Sequence, residues 1–169
     1  MIRLAFAIWQ AGLKDGTGII STESGVLKET PYSVSSRFVG QPGTNPEELI
    51  AAAHAASFSM ALSVELDKAG LFPENIRTAA GLTMEQFEGD WVITQIHLDV
   101  TVKLPKADWD KFEAAASLAK TGCTISRLLN TKITMDAKLE SWRSFGVVAR
   151  KSGSIPLGRR LATISLREA

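Results

Sequence analysis

The chain has 169 residues, of which 45% are hydrophobic and 22% charged, with a formal net charge of +1. Such a chain is long and apolar enough for one soluble globular domain, and its charge gives no general pull toward nucleic acid or membrane. The single cysteine, Cys123, excludes an intrachain disulfide framework.

The opening run "MIRLAFAIWQAGLKDG" is too short, and too polar downstream, for a secretory signal. By count of consecutive apolar residues, no segment reaches the roughly 18 needed for a spanning helix. These readings place the protein in the cytoplasm, with no membrane partner. The first 40 residues predict β structure: "AFAIWQ", "GTGIIST" and "YSVSSRFVG" are β-branched or aromatic runs separated by the turn signals "KDG" and "KETP".

A helix follows. Thr44 or Asn45 caps it, Pro46 suits its first turn, and Glu47 and Glu48 meet the positive end of its dipole. Gly70 ends it and Pro73 comes soon after. Between Glu48 and Glu65 it is apolar or small on every side. A helix of that kind is enclosed all round, so one side meets a sheet and the other a second helix or a partner subunit.

"TAAGLTMEQF" comes next, and "DWVITQIHLDVTVKLP" alternates as a strand with one buried face: Val92, Thr94, Ile96, Leu98, Val100 and Val102. "KADWDKFEAAASLAKTG" predicts an amphipathic helix ending at Gly122. "CTISRLLN" predicts a short helix with Cys123 at its N-terminal end, and "KITMDAKLE" a closing strand. Residues 140–169 hold six Arg and Lys against two Glu, a net +4, which leaves 13 basic and 16 acidic residues, a net −3, in 1–139. With poor periodicity, 140–169 reads as a basic tail appended to a domain at 1–139, docking through Trp142, Phe145, Val147 and Val148. Four net charges spread over thirty residues are too sparse to argue for nucleic acid.

Three segments together, "STESGVLKETPYSVSSRF", "GTNPEELIAAAHAASFSMALS" and "AKTGCTISRLL", resemble the OsmC/Ohr family of bacterial thiol peroxidases, and the OsmC branch more than the Ohr branch. The resemblance runs from about Trp9 to Leu139. It implies an α+β fold with antiparallel sheets around a long central helix, in an intertwined homodimer. It also implies hydroperoxide reduction by a peroxidatic cysteine, a resolving cysteine, and an arginine–glutamate pair that holds the thiolate. Position by position, the pair falls on Arg37 and Glu47, the resolving thiol on Cys123 and the peroxidatic position on Ser57. A serine does not enter the thiol oxidation ladder, so the chain is expected to be inactive by the family route. The family mechanism uses no metal or organic cofactor and draws on a dithiol reductant such as a lipoylated protein.

Each of these residues also has a plainer reading. Ser57 fits as a small core residue bonding the carbonyl one turn back. Arg37 and Glu47 fit as a surface ion pair, and Cys123 as a small buried hydrophobe. His54, three residues before Ser57, suggests a Ser–His hydrolase pair, but no orienting acid or nucleophile elbow accompanies it. His97 has no metal-ligand spacing around it. A non-catalytic dimeric ligand-binding or scaffold protein on the same fold is the alternative to a peroxidase.

Overall fold

The computed structural model describes residues 1–106, 108–141 and 160–166. Its elements fall in two compact units, Met1–Ile50 and Ala51–Ala169.

In the first unit, β1 (Ala5–Gln10), β2 (Thr17–Thr22) and β3 (Thr30–Ser33) form an antiparallel sheet in that order. The run "YSVSSRFVG" does not continue as a strand. It breaks after Ser33 into a short helix, α1 (Val34–Phe38). The cause is local. The Ser33 hydroxyl accepts from Ser36 N–H and the Ser36 hydroxyl accepts from Ser33 N–H, each at 2.9 Å, closing a capping box. The loop then returns to the sheet. Thr44 N–H donates to Pro31 C=O at 2.9 Å, and the Ser36 hydroxyl donates to Thr44 C=O at 2.8 Å. Gly43, at φ +132°, allows this approach; a Cβ there would lie 2.8 Å from Pro31 O.

The long helix is α2 (Pro46–Lys68). Of the two expected caps, Asn45 serves: its Oδ1 accepts from Glu48 N–H at 2.8 Å, while Thr44 Oγ1 donates to the Glu48 carboxylate at 2.9 Å. At the other end Leu71 N–H reaches Leu66 C=O across Gly70, which sits at φ +72°. This helix buries one stripe, His54, Phe58, Leu62 and Leu66, four residues apart. Ala52, Ala53, Ala56, Met60 and Val64 are exposed in the single chain. With 23 residues and a mean hydropathy of 1.5 over an 18-residue window, α2 is long and apolar enough to cross a membrane by length and composition alone. That corrects the expectation drawn from consecutive apolar residues, which Ser57, Ser59 and Ser63 interrupt without lowering the average below that level.

In the second unit, β4 (Asn75–Phe87), β5 (Asp90–Leu104), β6 (Lys132–Ser141) and β7 (Arg160–Leu166) form a four-stranded sheet in that order. Its pairs are antiparallel except β5–β6, which is parallel, a departure from the expected all-antiparallel pairing. Parallel neighbours need a crossover, and α3 (Trp109–Gly122) and α4 (Thr124–Leu128) provide it. The β5 alternation buries Ile96, Leu98, Val100, Val102 and Leu104. Val92 is 43% exposed. Between Thr83 and Met84 the register against β5 slips by one residue, and residues 90–95 of β5 do not alternate in burial. Phe58, Leu62 and Leu66 of α2, Phe112 and Ala116 of α3, and Met135, Ala137 and Leu139 of β6 are buried as well.

The segment read as a basic tail contributes β7, paired with β6 from Met135↔Leu166 to Ser141↔Arg160. Its expected docking residues, Trp142, Phe145, Val147 and Val148, lie outside the described residues.

Candidate active site

The four residues singled out from sequence form two pairs, one in each unit. In the first unit, Arg37 lies in the last turn of α1 and Glu47 in the first turn of α2. Arg37 Nε lies 3.1 and 3.0 Å from the two Glu47 carboxylate oxygens, and Nη2 lies 2.5 Å from Oε1. This is a fork on a carboxylate, stronger and more directional than a point contact. The Arg37 guanidinium also sits 5.0 Å from the Phe38 ring centroid. The side chains keep 33% and 14% of their exposure, so the pair is half-buried rather than solvated. Arg37 lines a cleft of about 300 Å³ with Trp9, Leu13, Tyr32 and Pro46. The cleft thus offers a cationic donor among largely apolar walls.

In the second unit, Cys123 caps α4 and is buried to 1% exposure. Its thiol donates to Ser57 Oγ at 3.3 Å, and Ser57 Oγ is 3.2 Å from Thr124 Oγ1. The bond to the carbonyl one turn back, expected for a filler serine, is made by Ser59, which reaches Ala55 C=O at 2.9 Å. Ser57 instead presents its oxygen to the sulfur. Burial raises the Cys123 pKa, but the Ser57 hydroxyl, the Ser126 backbone and side chain and the Ile125 backbone outweigh it, and the thiol lies below its ordinary range.

His54 does not form the Ser–His pair. Its Nε2 lies 2.9 Å from Ser126 Oγ, and burial lowers its pKa. His97 belongs to the sheet surface, with Nδ1 2.7 Å from Thr134 Oγ1 and Nε2 3.8 Å from an Asp136 oxygen. The sequence reading missed Thr124 and Ser126. The spacing held a signal: in "CTIS" Ser126 follows Cys123 by three residues, one helical turn.

Fold and site together define an α+β protein with a buried thiol set among hydroxyls. The OsmC-like protein family matches residues 39–138. The chain is 46% identical over 135 residues to peroxiredoxin OsmC of Escherichia coli (strain K12), covering 80% of this chain and 94% of that protein. It is 28% identical over 130 residues to organic hydroperoxide resistance protein OhrB of Bacillus subtilis (strain 168), covering 73% and 88%. An OsmC-like protein of unknown function from Vibrio cholerae has the same fold, with a TM-score of 0.66 at 17% identity over 82% of this chain and 99% of that one. The chain belongs to the OsmC-like protein family.

Proposed function

We propose that this is an OsmC-branch thiol-peroxidase scaffold for hydroperoxide reduction, with Ser57 where the reactive sulfur belongs. The observation that carries the reading is the 3.3 Å approach of the Cys123 sulfur to the Ser57 hydroxyl. In the family route a thiolate at position 57 attacks the peroxide oxygen. The O–O bond breaks, the alcohol leaves with a proton, and a sulfenic acid remains. Cys123 then forms a disulfide with that sulfur and expels water, and an external dithiol reduces the disulfide by exchange. Arg37, held by Glu47, has the charge and fork to favour a thiolate and orient a peroxide.

As it stands the chain does not turn over peroxide. A serine hydroxyl is not ionised near neutrality and cannot become a sulfenic acid. We place the protein in the cytoplasm as a homodimer, with a hydroperoxide substrate, a dithiol reductant such as a lipoylated protein, and no metal or organic cofactor. The cleft beside Arg37, with its apolar walls, suits an organic hydroperoxide. The test is Ser57→Cys, assayed for dithiol oxidation with hydrogen peroxide and with an alkyl hydroperoxide. Turnover with a disulfide to Cys123 is expected. A folded but inert variant would favour the alternative, a dimeric ligand-binding scaffold.

A further inference from the structure

The aromatic rings that wall the Arg37 cleft are seated on glycine. Trp9 of β1, Gly18 of β2 and Tyr32 of β3 are register partners, so they form one row across the first sheet. Two strand spacings, about 10 Å, separate β1 from β3. The Trp9 and Tyr32 ring centroids are nevertheless 5.4 Å apart, tilted at 45°. The two side chains lean inward over Gly18, which is buried. A Cβ at Gly18 would lie 2.5 Å from Tyr32 Cζ, closer than packed atoms come, so glycine alone admits the ring there. Gly16, just before β2, does the same for Trp9: a Cβ on it would lie 2.6 Å from Trp9 Cε2. Tyr32 also stands at a boundary. It lines the cleft of about 300 Å³ that holds Arg37, and with Pro46 it lines a neighbouring cavity of about 280 Å³. Ala7, Ile20, Leu49 and Ile50 wall that second cavity. Tyr32 and Pro46 are therefore the partition between a cleft that holds a guanidinium and a cavity that is mainly apolar. Pro46 belongs to the first turn of α2, whereas the Tyr32 ring is placed by the missing side chain at Gly18.

We propose that Tyr32, seated on Gly18, is a specificity-determining residue: it fits the Arg37 cleft to a compact, aryl-bearing hydroperoxide and keeps a long alkyl chain out of the cavity beyond. This rests on the proposed function, in which Arg37 orients the peroxide group, and adds to it the shape of the rest of the substrate. An aryl group makes edge and face contacts with the Trp9 and Tyr32 rings that an alkyl chain of equal carbon count does not. Such contacts are worth about threefold to tenfold in affinity. A linear chain needs length instead, and the Tyr32 ring ends the cleft where that length would run.

Binding is read without turnover, using cumyl alcohol and nonyl alcohol, unreactive probes of equal carbon count. Titrating the intact chain with cumyl alcohol is expected to move the Trp9 indole N–H resonance, assigned by its loss in Trp9→Leu. The ratio of the two dissociation constants is then compared among variants. In Tyr32→Ala it is expected to move toward nonyl alcohol by about threefold or more, because a ring contact is lost and the two cavities join. Trp9→Leu moves it in the same direction. Tyr32→Phe, which keeps the ring, leaves it in place. Gly18→Ala displaces the Tyr32 ring and behaves as Tyr32→Ala does; if it does not fold, the Tyr32 and Trp9 variants decide. An unmoved Trp9 resonance, or a ratio unchanged in Tyr32→Ala, would overturn the proposal. Cumene hydroperoxide and nonyl hydroperoxide, assayed in the Ser57→Cys background, separate this inference from the proposed function. An inert Ser57→Cys with the binding ratios as stated sinks the peroxidase reading and leaves the selectivity of the cleft. An active Ser57→Cys whose kcat/KM ratio for the two hydroperoxides is unmoved by Tyr32→Ala does the reverse.

Discussion

Serine and cysteine differ by one atom, and at position 57 that atom decides between a hydrogen-bond partner and a nucleophile. The surrounding groups do not depend on the difference: Cys123 and Thr124 still reach position 57, and Ser126 pairs with His54. The residue types were readable from sequence. The partners were not, because Ser57 and Cys123 are 66 positions apart and no spacing rule links them. His54 carries a prediction of its own. Burial holds its pKa below the ordinary histidine value. Below about pH 6.5 the unfolded chain binds a proton there that the folded chain refuses. Stability contributed by neutral His54 is therefore complete above that pH and is lost as pH falls toward the lowered folded value. Urea midpoints measured from about pH 7 down to pH 5 should fall more steeply for this chain than for His54→Gln. Parallel profiles would mean that His54 does not titrate in the folded core as its burial requires.

Among the elements, those with a strong period or clear caps were legible. The α2 helix announced its start at Asn45 and Pro46 and its stop at Gly70, and α3 ended at Gly122 as expected. Two features were hidden for definite reasons. The helix α1 rests on a reciprocal Ser33–Ser36 cap inside a β-branched run, where strand propensity points the other way. The bulge opposite Thr83 and Met84 is a pairing event, and a single strand's alternation cannot reveal where its partner slips. The α2 stripe makes a graded prediction. Leu62 is fully buried, so Leu62→Ala should cost about 2 to 5 kcal/mol of unfolding free energy, transfer and cavity terms together. Asn45→Ala removes one cap and should cost about 1 kcal/mol. Urea unfolding compares them directly. A Leu62→Ala loss no larger than that of Asn45→Ala would mean that the stripe is not the core of this unit.

For the whole molecule, the informative residues are the apolar ones left in contact with water. On α2, Met60 is 66% and Val64 52% exposed, although the helix bears no formal charge between Glu48 and Glu65. In the first unit all six residues of β1 are exposed, Phe6 and Ile8 by more than half, and β1 is the edge of its sheet. An apolar edge strand and an apolar helix face both invite a second chain, and soluble monomers rarely leave such surfaces open. Enclosure of α2 on every side, expected from its composition, is incomplete in one copy and can be completed by another. The chain should therefore sediment as a dimer at micromolar concentration. A glutamate at either helix position would bury an unpaired charge in the dimer but meet water in the monomer. Met60→Glu or Val64→Glu should lower the sedimentation coefficient toward that of a monomer, while Asp67→Glu, conservative and exposed, should leave it unchanged. A well-folded monomer for the unmodified chain at that concentration would contradict the argument. So would a Met60→Glu, Val64→Glu double variant that still sediments as a dimer, since the exposed face of α2 would then not be the surface that a second copy covers.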